Sequence, residues 1–440
     1  MRIRIKQTWG LLFLVLVTFI YLLIYVIESS SSPEEPVEIY FADRITAAHK
    51  ILIDRYNEIN KGKIKVVPID FPNFDFSTNE RKELLARSLR GRGDGIDLLA
   101  VDIVWVQRFA KWCEPLDKYF TEADREKIIS PALKSCYYEG ELFAVPLVMV
   151  QGVMYYREDL LKKYPGSKEI IKKIKDGITW QEFIELGEKL HPSTPFYIFP
   201  AADYEGLVCS FVELARGLDP DYFEKYGFDL NTPVAERALQ LLVDLVNKYK
   251  LTPSEVTDFT EVPSYEYSIE RDALFIRGWP SYDKDFKETP FDTVKEKHLR
   301  KVPVPYFKDG HPASVIGGWN LMVSKFSDKK KEVVDFIKFL LSDDSQILFY
   351  EVSGYYPVIK DFYENPKFLK KYPEIIEYKK LISTGVHRPG HVEYTRYSEI
   401  MSHYFELAIK NEMSVKDALI NATNSIKSEK ILLKNFGNNK

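Results

Sequence analysis

Aromatic and polar side chains recur where predicted strands end, and this pattern is the strongest chemical signal in the sequence. Aromatic residues make up 14% of the chain, which is a high share and suits a surface that faces carbohydrate. A flat ring can stack on the C–H face of a sugar, while nearby polar groups bind the hydroxyls. Each such residue alone is more often structural, but several together favour a binding cleft: Asp102, Trp105, Tyr155, Trp279, Tyr282, Trp319 and Tyr355.

The stretch Ser314–Lys325 shows this pattern most clearly, as an apolar strand that contains a glycine pair followed by a tryptophan. Gly317 and Gly318 permit backbone conformations and close approaches that a Cβ atom would prevent. Trp319 then offers a large flat face and one N–H donor. The stretch is interpreted either as a surface that binds sugar or as core packing beside a β-bulge.

No catalytic motif accompanies these residues. The sequence contains no G-x-x-x-x-G-K-[ST] phosphate loop, no H-E-x-x-H zinc motif and no G-x-S-x-G nucleophile elbow. Gly91, Gly93 and Gly95 have the wrong spacing for a dinucleotide site and predict a surface turn. The seven histidines are scattered, and no pair of carboxylates stands out by its spacing. We therefore expect a binding protein without a catalytic residue, metal or cofactor.

Length and composition predict a folded protein with more than one structural unit. A chain of 440 residues exceeds one ordinary core, and 45% hydrophobic with 29% charged residues is typical of folded proteins. The net charge of −4 argues against nucleic acid as a partner. Cys113, Cys136 and Cys209 form no C-x-x-C pair, so free buried thiols are expected, with a Cys113–Cys136 disulfide as the alternative.

The N-terminal segment predicts a membrane anchor. Residues 1–10 are basic, and residues 11–27 form an uncharged apolar run that is about long enough to span the ~30 Å hydrocarbon layer. The positive-inside rule leaves residues 1–10 in the cytoplasm and the body of the chain outside. Residues 28–36 are an acidic linker rich in serine and proline. The alternative is a signal peptide cleaved near Ser29–Ser32.

From residue 37 onwards the pattern alternates between strand and helix. The predicted strands and helices alternate over residues 37–41, 45–60, 63–70, 79–89 and 96–101. This β-α-β-α-β order predicts a parallel sheet with helices on both faces. Ligands of such sheets bind beyond the carboxyl ends of the strands, where Asp43, Arg44 and Asp102 lie.

A series of short motifs also runs through the chain in a fixed order. The motifs include D-L-L-A-V-D…W…E-P-L-D at 97–117, G-E-L-F-A-V-P at 140–146, G-V-M-Y-Y-R-E-D-L at 152–160, T-W-Q-E-F at 179–183, Y-E-G-L-V-C at 204–209, R-G-W-P at 277–280, G-G-W-N at 317–320, G-Y-Y-P at 354–357, and H-R-P at 387–389 before Y-S-E at 397–399. Together they cover nearly everything after residue 37. The ordered set resembles the extracellular solute-binding proteins of carbohydrate ABC transporters, family 1, the maltose/trehalose-binding-like group.

This resemblance implies an α/β protein with a two-lobe, periplasmic-binding-protein-like fold of type II. The lobes would be joined by hinge segments and would close on the ligand. Lobe one would comprise residues 37–148 and 319–355, and lobe two residues 149–315 and 356–440. The stretch Ser314–Lys325 would then cross the hinge and place Trp319 in the cleft.

The resemblance also implies residues that bind hydroxyl groups from both lobes and from the hinge. From lobe one these are Asp43 or Arg44, Thr78, Arg81 and Asp102. From lobe two they are Glu205, Trp279, Tyr282 and Arg388. The Gly318 amide and Trp319 would contribute from the hinge, and the strand-end pattern adds Trp105, Tyr155 and Tyr355.

By the same resemblance, the chain would capture a di- or oligosaccharide outside the cytoplasm and deliver it to ABC permease subunits. We also expect it to act as a monomer, which the N-terminal segment would anchor in the cell membrane. One departure concerns Leu147–Gln151, which is nearly apolar where relatives often carry an aromatic residue and an Asp. This departure argues against maltose or trehalose and for a different glycan or a less hydroxylated ligand. The alternatives are an anchored carbohydrate-processing enzyme and a ligand sensor.

Overall fold

The computed structural model describes residues 15–22, 35–71, 78–92, 95–285 and 293–428. The predicted basic segment and most of the predicted anchor and linker therefore lie outside the described residues. Residues 15–22 are helical and expose their apolar side chains. Among the described residues, no helix has both the length and the apolar character that a membrane span requires. The anchor stays a prediction.

The strands of the described residues are short and spread over the whole chain. They are β1 Val37–Asp43, β2 Ile64–Asp70, β3 Leu98–Asp102, β4 Tyr137–Tyr138, β5 Glu141–Leu142, β6 Val145–Gln151, β7 Val153–Arg157, β8 Tyr197–Ile198, β9 Phe275–Gly278, β10 Leu299–Val302, β11 Ser314–Val323 and β12 Gly385–Val386. The longest, β11, is the stretch singled out in the sequence by its glycine pair.

Helices alternate with these strands and fill most of the remaining chain. The α-helices are Ala47–Ile59, Thr78–Arg90, Val106–Phe109, Glu122–Glu126, Ser130–Leu133, Glu158–Leu161, Ser167–Asp176, Trp180–Leu190, Glu205–Leu218, Tyr222–Tyr226, Pro233–Asn247, Glu261–Glu270, Tyr282–Asp285, Thr293–Glu296, Lys330–Leu340, Asp343–Leu348, Asp361–Glu364, Pro366–Lys371, Ile375–Ile382, Tyr394–Ile409 and Val415–Lys427. Short 3₁₀ segments lie at Ile103–Trp105, Ala110–Trp112, Lys134–Cys136 and Ser254–Asp258, and a π-helical segment lies at Phe349–Ser353.

The first sheet has the strand order β12-β11-β3-β1-β2, and β6 pairs with β11 beside this path. β1 runs parallel to β2 and to β3, which confirms the predicted β-α-β-α-β unit. β11 runs antiparallel to β3 and β6 because it enters from a distant part of the chain rather than through a crossover helix. The prediction of a parallel sheet therefore holds for β1, β2 and β3, and the sheet as a whole is mixed.

The second sheet has the order β10-β7-β9-β8, with β7 antiparallel to both β9 and β10. Within the described ranges, a separate hydrophobic core surrounds each of these two sheets. Phe41, Leu99 and Val148 belong to the first core, and Tyr156 and Phe211 belong to the second. Two α/β lobes with their own cores are what a chain of this length requires.

A third and smaller cluster lies on the side of the first core. It contains Phe362, Tyr372 and Ile375, and the partly buried Ile129 packs against both this cluster and the first core. The backbone of Tyr356 exchanges hydrogen bonds with Met149, with N···O distances of 2.9 and 3.1 Å. The predicted limits, which assign residues 356–440 to lobe two, stay predictions.

Within the described residues, the chain passes from one core to the other at two neighbouring places, residues 149–153 and residues 315–316. At the first, Met149 lies in the first core and Val153 in the second. At the second, Val315 lies in the second core and the adjacent Ile316 in the first. The two segments are joined because the Gly152 N–H donates to the Val315 carbonyl at 2.9 Å. A hinge between the lobes therefore runs through paired backbone.

A third segment lies beside these two. The Ser314 N–H donates to the Thr384 carbonyl at 3.1 Å, and the Gln151 side chain donates to the Leu381 carbonyl at 2.7 Å. β11 and β12 also pair in parallel through Ser314 and Val315. Leu381 lies in the second core and Ile382 packs against the first, so the three hinge segments are 151–153, 314–316 and 381–386.

The glycine pair of β11 has the geometry that its sequence indicates. Gly318 has a φ of +142°, and a Cβ atom there would lie 2.3 Å from the Val148 carbonyl oxygen. The pairing of β11 with β6 shifts its register between Trp319 and Asn320, which is a β-bulge. The bulge belongs to the packing alternative, but Trp319 is only partly buried beside it, so the choice between packing and a sugar-binding surface stays a prediction.

The cysteines are free and buried. Cys113, Cys136 and Cys209 make no disulfide, so the alternative of a Cys113–Cys136 bridge is wrong and free thiols are present. Burial raises the pKa of each thiol above its ordinary value. A thiol with a raised pKa is a poor nucleophile, so these residues serve packing.

We predict that Gly318→Ala lowers the free energy of unfolding by about 3 kcal/mol or more, because it adds a backbone clash to a conformation that only glycine adopts readily. Gly62→Ala is the matched control, since Gly62 has a φ of +76° and no atom lies within 4 Å of the added Cβ. We expect the control to cost about 1 kcal/mol. Denaturant unfolding of both variants measures the difference, and equal costs would contradict the close approach.

Candidate functional site

The predicted site residues lie at one edge of the first sheet and at the hinge. Asp43 ends β1 and Asp102 ends β3, so both lie at the carboxyl edge of parallel strands. Trp319 on β11 pairs directly opposite Asp102. The strand order therefore places a tryptophan between the sheet edge and the hinge.

Asp43 is buried, and its carboxylate is surrounded by internal partners. Arg81 Nη2 lies 3.1 Å from Oδ1, and His49 Nε2 lies 3.2 Å from Oδ2. The Arg44 backbone N–H also donates to Oδ1 at 2.7 Å. In this structure the carboxylate positions Arg81, and the role of Asp43 and Arg44 toward a ligand stays a prediction.

Arg81 connects this carboxylate to Trp319. Its guanidinium carbon lies 4.2 Å from the centroid of the Trp319 ring, which is a cation–π contact. Trp105 packs its ring against Trp319 edge to face, with centroids 6.3 Å apart. Burial lowers the pKa of Arg81 below its ordinary value, although Asp43 opposes this effect. Trp319 is thus held by neighbours in a defined orientation.

Arg388 joins the two lobes through an ion bridge, which we define as Asp102, Arg388 and Glu205. Arg388 Nη2 lies 2.6 Å from Asp102 Oδ1, and Nη1 lies 2.7 Å from Glu205 Oε1. Asp102 belongs to the first sheet, while Glu205 begins a helix of the second core. Burial raises the pKa of Asp102 above its ordinary value, although the Arg388 guanidinium opposes the shift. The bridge holds the lobes together across the cleft.

Trp279 lies on the other side of the glycine pair. A Cβ atom on Gly317 would lie 3.3 Å from the Trp279 ring, so the ring contacts bare backbone. The Tyr155 hydroxyl donates to the Trp279 carbonyl at 2.7 Å. The rings of Tyr155 and Tyr282 are parallel within 2°, with centroids 6.2 Å apart. These contacts fix the loop that carries Trp279.

Some of the predicted residues lie in contact, namely Asp43, Arg81, Trp105 and Trp319 in one group and Asp102, Arg388 and Glu205 in another. Trp279 and Trp319 flank the glycine pair, and Tyr355, which is buried, acts electrostatically on Arg81. Thr78 begins the helix Thr78–Arg90, and its predicted role stays a prediction.

The sequence analysis did not predict several residues that lie in this region. Tyr394 donates its hydroxyl to Glu205 at 2.7 Å, and Ser398 donates to the same carboxylate. Glu213 pairs with the buried Arg277 at 2.9 Å. The spacing of Glu205 and Glu213, eight residues apart on one apolar helix, was an available signal, because acids on a buried helix face need partners.

The site offers hydrogen-bond donors and flat rings, and its arginines lie beside carboxylates. Within the described residues, Nε of Arg81 and Nε of Arg388 are buried and have no hydrogen-bond partner. Each of these guanidinium groups also contacts at least one carboxylate. A site of rings and unpaired donors suits a ligand with many hydroxyl groups. In the parts of the chain that the structure describes, no cluster of three metal-binding side chains occurs.

Two α/β lobes joined by a hinge, with rings and polar groups between them, define a solute-binding protein of the periplasmic-binding-protein-like class. The chain belongs to the family described as bacterial extracellular solute-binding protein, whose model matches residues 41–347. The two-lobe fold prediction and the family prediction are therefore confirmed. The members of this family are binding proteins that act outside the cytoplasm, as its description states.

Individual relatives agree with this assignment. A probable ABC transporter-binding protein of Deinococcus radiodurans is 27% identical over 349 residues, which cover 78% of this chain and 80% of the relative. An arabinooligosaccharide-binding protein of Bacillus subtilis is 24% identical over 357 residues, with 78% of each chain covered. The structure of maltose-bound MalE3 from T. maritima is similar with a TM-score of 0.77 and 26% identity, covering 90% of this chain and 100% of that one.

We predict that Arg388→Met opens the lobes and destabilises the protein. Removing one member of a buried ion pair costs up to about 3–5 kcal/mol, because Asp102 and Glu205 then either stay partly buried without a counter-charge or reach water as the lobes open. We expect a larger radius of gyration in small-angle scattering and a lower unfolding free energy. Arg396→Met is the control, because Arg396 pairs with Glu393 on its own segment. A variant with unchanged scattering and stability would contradict the bridge.

His387 makes the stability depend on pH. Burial lowers the pKa of His387 from 6.5 to about 4, so the folded state binds fewer protons than the unfolded state between these values. We therefore predict that His387 does not lower the stability above about pH 6.5 and lowers it by up to about 3 kcal/mol as the pH drops toward 4. We expect His387→Gln to reduce this loss when thermal unfolding is followed from pH 7 to pH 4. An identical pH profile for both proteins would contradict this prediction.

Proposed function

We propose that the chain is the extracytoplasmic substrate-binding component of an ABC transporter, which captures a di- or oligosaccharide and delivers it to the permease subunits. The observation that carries this proposal is the pair of partly buried tryptophans, Trp279 and Trp319, on either side of the glycine pair. The family supports the binding role. The relatives named for an ABC transporter, arabinooligosaccharide and maltose support the transporter and the class of ligand.

The ligand would be recognised by rings and by charge-assisted hydrogen bonds together. Pyranose faces stack on the two tryptophans, while the free N–H donors of Arg81 and Arg388 and the Gly318 amide bind hydroxyl oxygens. The carboxylates of Asp102 and Glu205 accept hydrogen bonds from ligand hydroxyls. Because these groups come from both lobes, the ligand makes all its contacts only when the lobes are closed.

Closure would occur by rotation about the three hinge segments. The Arg388 bridge and the contact of Lys284 Nζ with the Glu351 carbonyl, at 2.6 Å, link the lobes on the side of the cleft. Both contacts would break when the cleft opens. The ligand then adds its own contacts to a closed arrangement that the protein already favours.

The apolar residues of β6 restrict the class of ligand that the protein can bind. Leu147, Val148 and Met149 are buried in the first core. Their side chains therefore pack inside the lobe and are not available to a ligand in the cleft. Recognition therefore depends on the tryptophans and arginines. We propose a glycan other than maltose or trehalose.

We also propose that residues 11–27 anchor the protein in the cell membrane, that residues 28–36 form the linker, and that the protein acts as a monomer. The basic residues before the apolar run support this orientation. The intact mass of the protein extracted from membranes distinguishes an anchor from a cleaved signal peptide, because cleavage near Ser29–Ser32 would remove the apolar run.

We predict that the full chain, in mild detergent, binds at least one member of a panel of mono-, di- and oligosaccharides. Tryptophan fluorescence and thermal unfolding should shift together, because a ligand of the folded state raises its stability. Trp279→Ala and Trp319→Ala should each weaken binding by about 2 kcal/mol or more, since they remove stacking area at the centre of the cleft.

Trp112→Ala is the control for these variants, because Trp112 packs on Phe109 and Lys111 away from the hinge. Its affinity should equal that of the wild type. No binding across the panel would remove the sugar from the proposal, and steady release of a product from a glycan would favour the enzyme alternative.

A further inference from the structure

Glu213 occupies a position that the proposed binding role does not by itself explain. Its side chain is 7% exposed and lies between the hinge and the second sheet. Oε1 accepts hydrogen bonds from the Val315 backbone N–H at 3.1 Å and from Arg277 Nη2 at 2.9 Å. Arg277 Nε lies 3.4 Å from the other carboxylate oxygen. One carboxylate thus contacts both a hinge segment and a buried arginine.

The hinge contact involves two of the three segments. Val315 lies where β11 passes between the cores, and its N–H is bound by Glu213. On the neighbouring segment, a Cβ atom added to Gly152 would lie 2.1 Å from Glu213 Oε1. The Ser314 hydroxyl donates to the Gly152 carbonyl and ties the two segments together. Glycine at position 152 therefore leaves the room that the carboxylate requires.

The arginine contact leads from Glu213 to the cleft. The Arg277 side chain is 1% exposed, and its guanidinium lies 4.5 Å from the centroid of the Trp279 ring. Burial alone would lower the pKa of Arg277, but the neighbouring Glu213 carboxylate outweighs this effect and raises the pKa. A buried guanidinium remains beside its counter-charge, because an unpaired buried charge is very costly. The position of Glu213 therefore determines the position of the cation beneath Trp279.

We propose that Glu213 is a positioning residue that couples the hinge to the stacking ring of Trp279. Motion of β11 at Val315 changes the position of the Glu213 carboxylate. Arg277 moves with this carboxylate because the two groups are paired, and Arg277 in turn orients the Trp279 ring. The inference rests on the proposed function, because it assigns the ring to ligand stacking. The coupling itself is a property of the protein without ligand.

Hydrogen exchange of the full chain without any glycan tests the coupling directly. Glu213→Gln leaves the Val315 N–H a neutral and therefore weaker acceptor, and it removes the charge that holds Arg277. We expect exchange to accelerate tenfold or more in two segments, 312–318 at the hinge and 275–282 around Trp279. Acceleration at the hinge alone, or equally over the whole chain, would overturn the proposal.

Asp159→Asn is the matched control. Asp159 pairs with Arg157, which is 3% exposed and lies at the opposite end of β7 from Gly152. The control therefore also removes a carboxylate from beside a buried arginine of the second sheet, although Arg157 keeps Asp272 as a second partner at 3.0 Å. We expect it to leave exchange in 312–318 unchanged. Acceleration of 312–318 by the control would overturn a specific role for Glu213.

A second variant covers the case in which Glu213→Gln fails to fold. Glu213→Gln combined with Arg277→Met removes both charges, and uncharged replacements of a buried pair are often tolerated. We expect a folded protein in which residues 275–282 still exchange faster than in the wild type. Wild-type exchange in both segments would overturn the proposal.

Ligand binding separates this inference from the proposed function. With a glycan that binds the wild type, Glu213→Gln should weaken binding at least tenfold, while Asp159→Asn should leave the affinity unchanged. Equal affinities of Glu213→Gln and wild type would overturn the role in binding. If no glycan in the panel binds the wild type, the sugar proposal fails, and the exchange experiment still decides whether the hinge and Trp279 are coupled.

Discussion

The buried guanidinium of Arg388 is the constraint on which the arrangement of the lobes depends. A cation removed from water needs counter-charges within hydrogen-bond distance, because an unpaired buried charge is very costly. Its two carboxylates belong to different lobes, Asp102 to the first sheet and Glu205 to the second core. The charge is therefore satisfied in full only when both lobes meet. The same contacts place a polar centre where the proposed ligand would bind.

A related arrangement recurs in each lobe, where a carboxylate holds an arginine and the arginine lies over a tryptophan. In the first lobe these residues are Asp43, Arg81 and Trp319, and in the second they are Glu213, Arg277 and Trp279. An indole held in this way loses little further freedom when it stacks on a ligand, which favours binding. The acidic residues near the cleft thus support the rings through the arginines.

The sequence allowed much of the fold to be predicted, because alternation of strand and helix is a local pattern. It predicted the β1, β2 and β3 unit, and it identified the glycine pair of β11, because glycine marks a backbone conformation that side chains prevent. It did not show that β11 runs antiparallel to β3, since strand direction depends on where a distant segment enters. Arg388 and Asp102 are 286 residues apart; Asp102 was predicted from its place at a strand end, whereas only the family resemblance brought Arg388 into the predicted site.

The helix Glu205–Leu218 explains why Glu213 escaped notice and why it matters. Its pattern is that of an ordinary buried helix, and although an acid in its middle needs a partner, the sequence does not show that the partners are Arg277 and Val315. Glu205 and Glu213 are about 12 Å apart along the axis, at 1.5 Å per residue, and Cys209 lies between them on nearly the same face. One carboxylate therefore binds the lobe-bridging Arg388 and the other binds the hinge strand at Val315. Because a packed helix moves as a rigid body, a displacement at the bridge reaches the hinge through this single element.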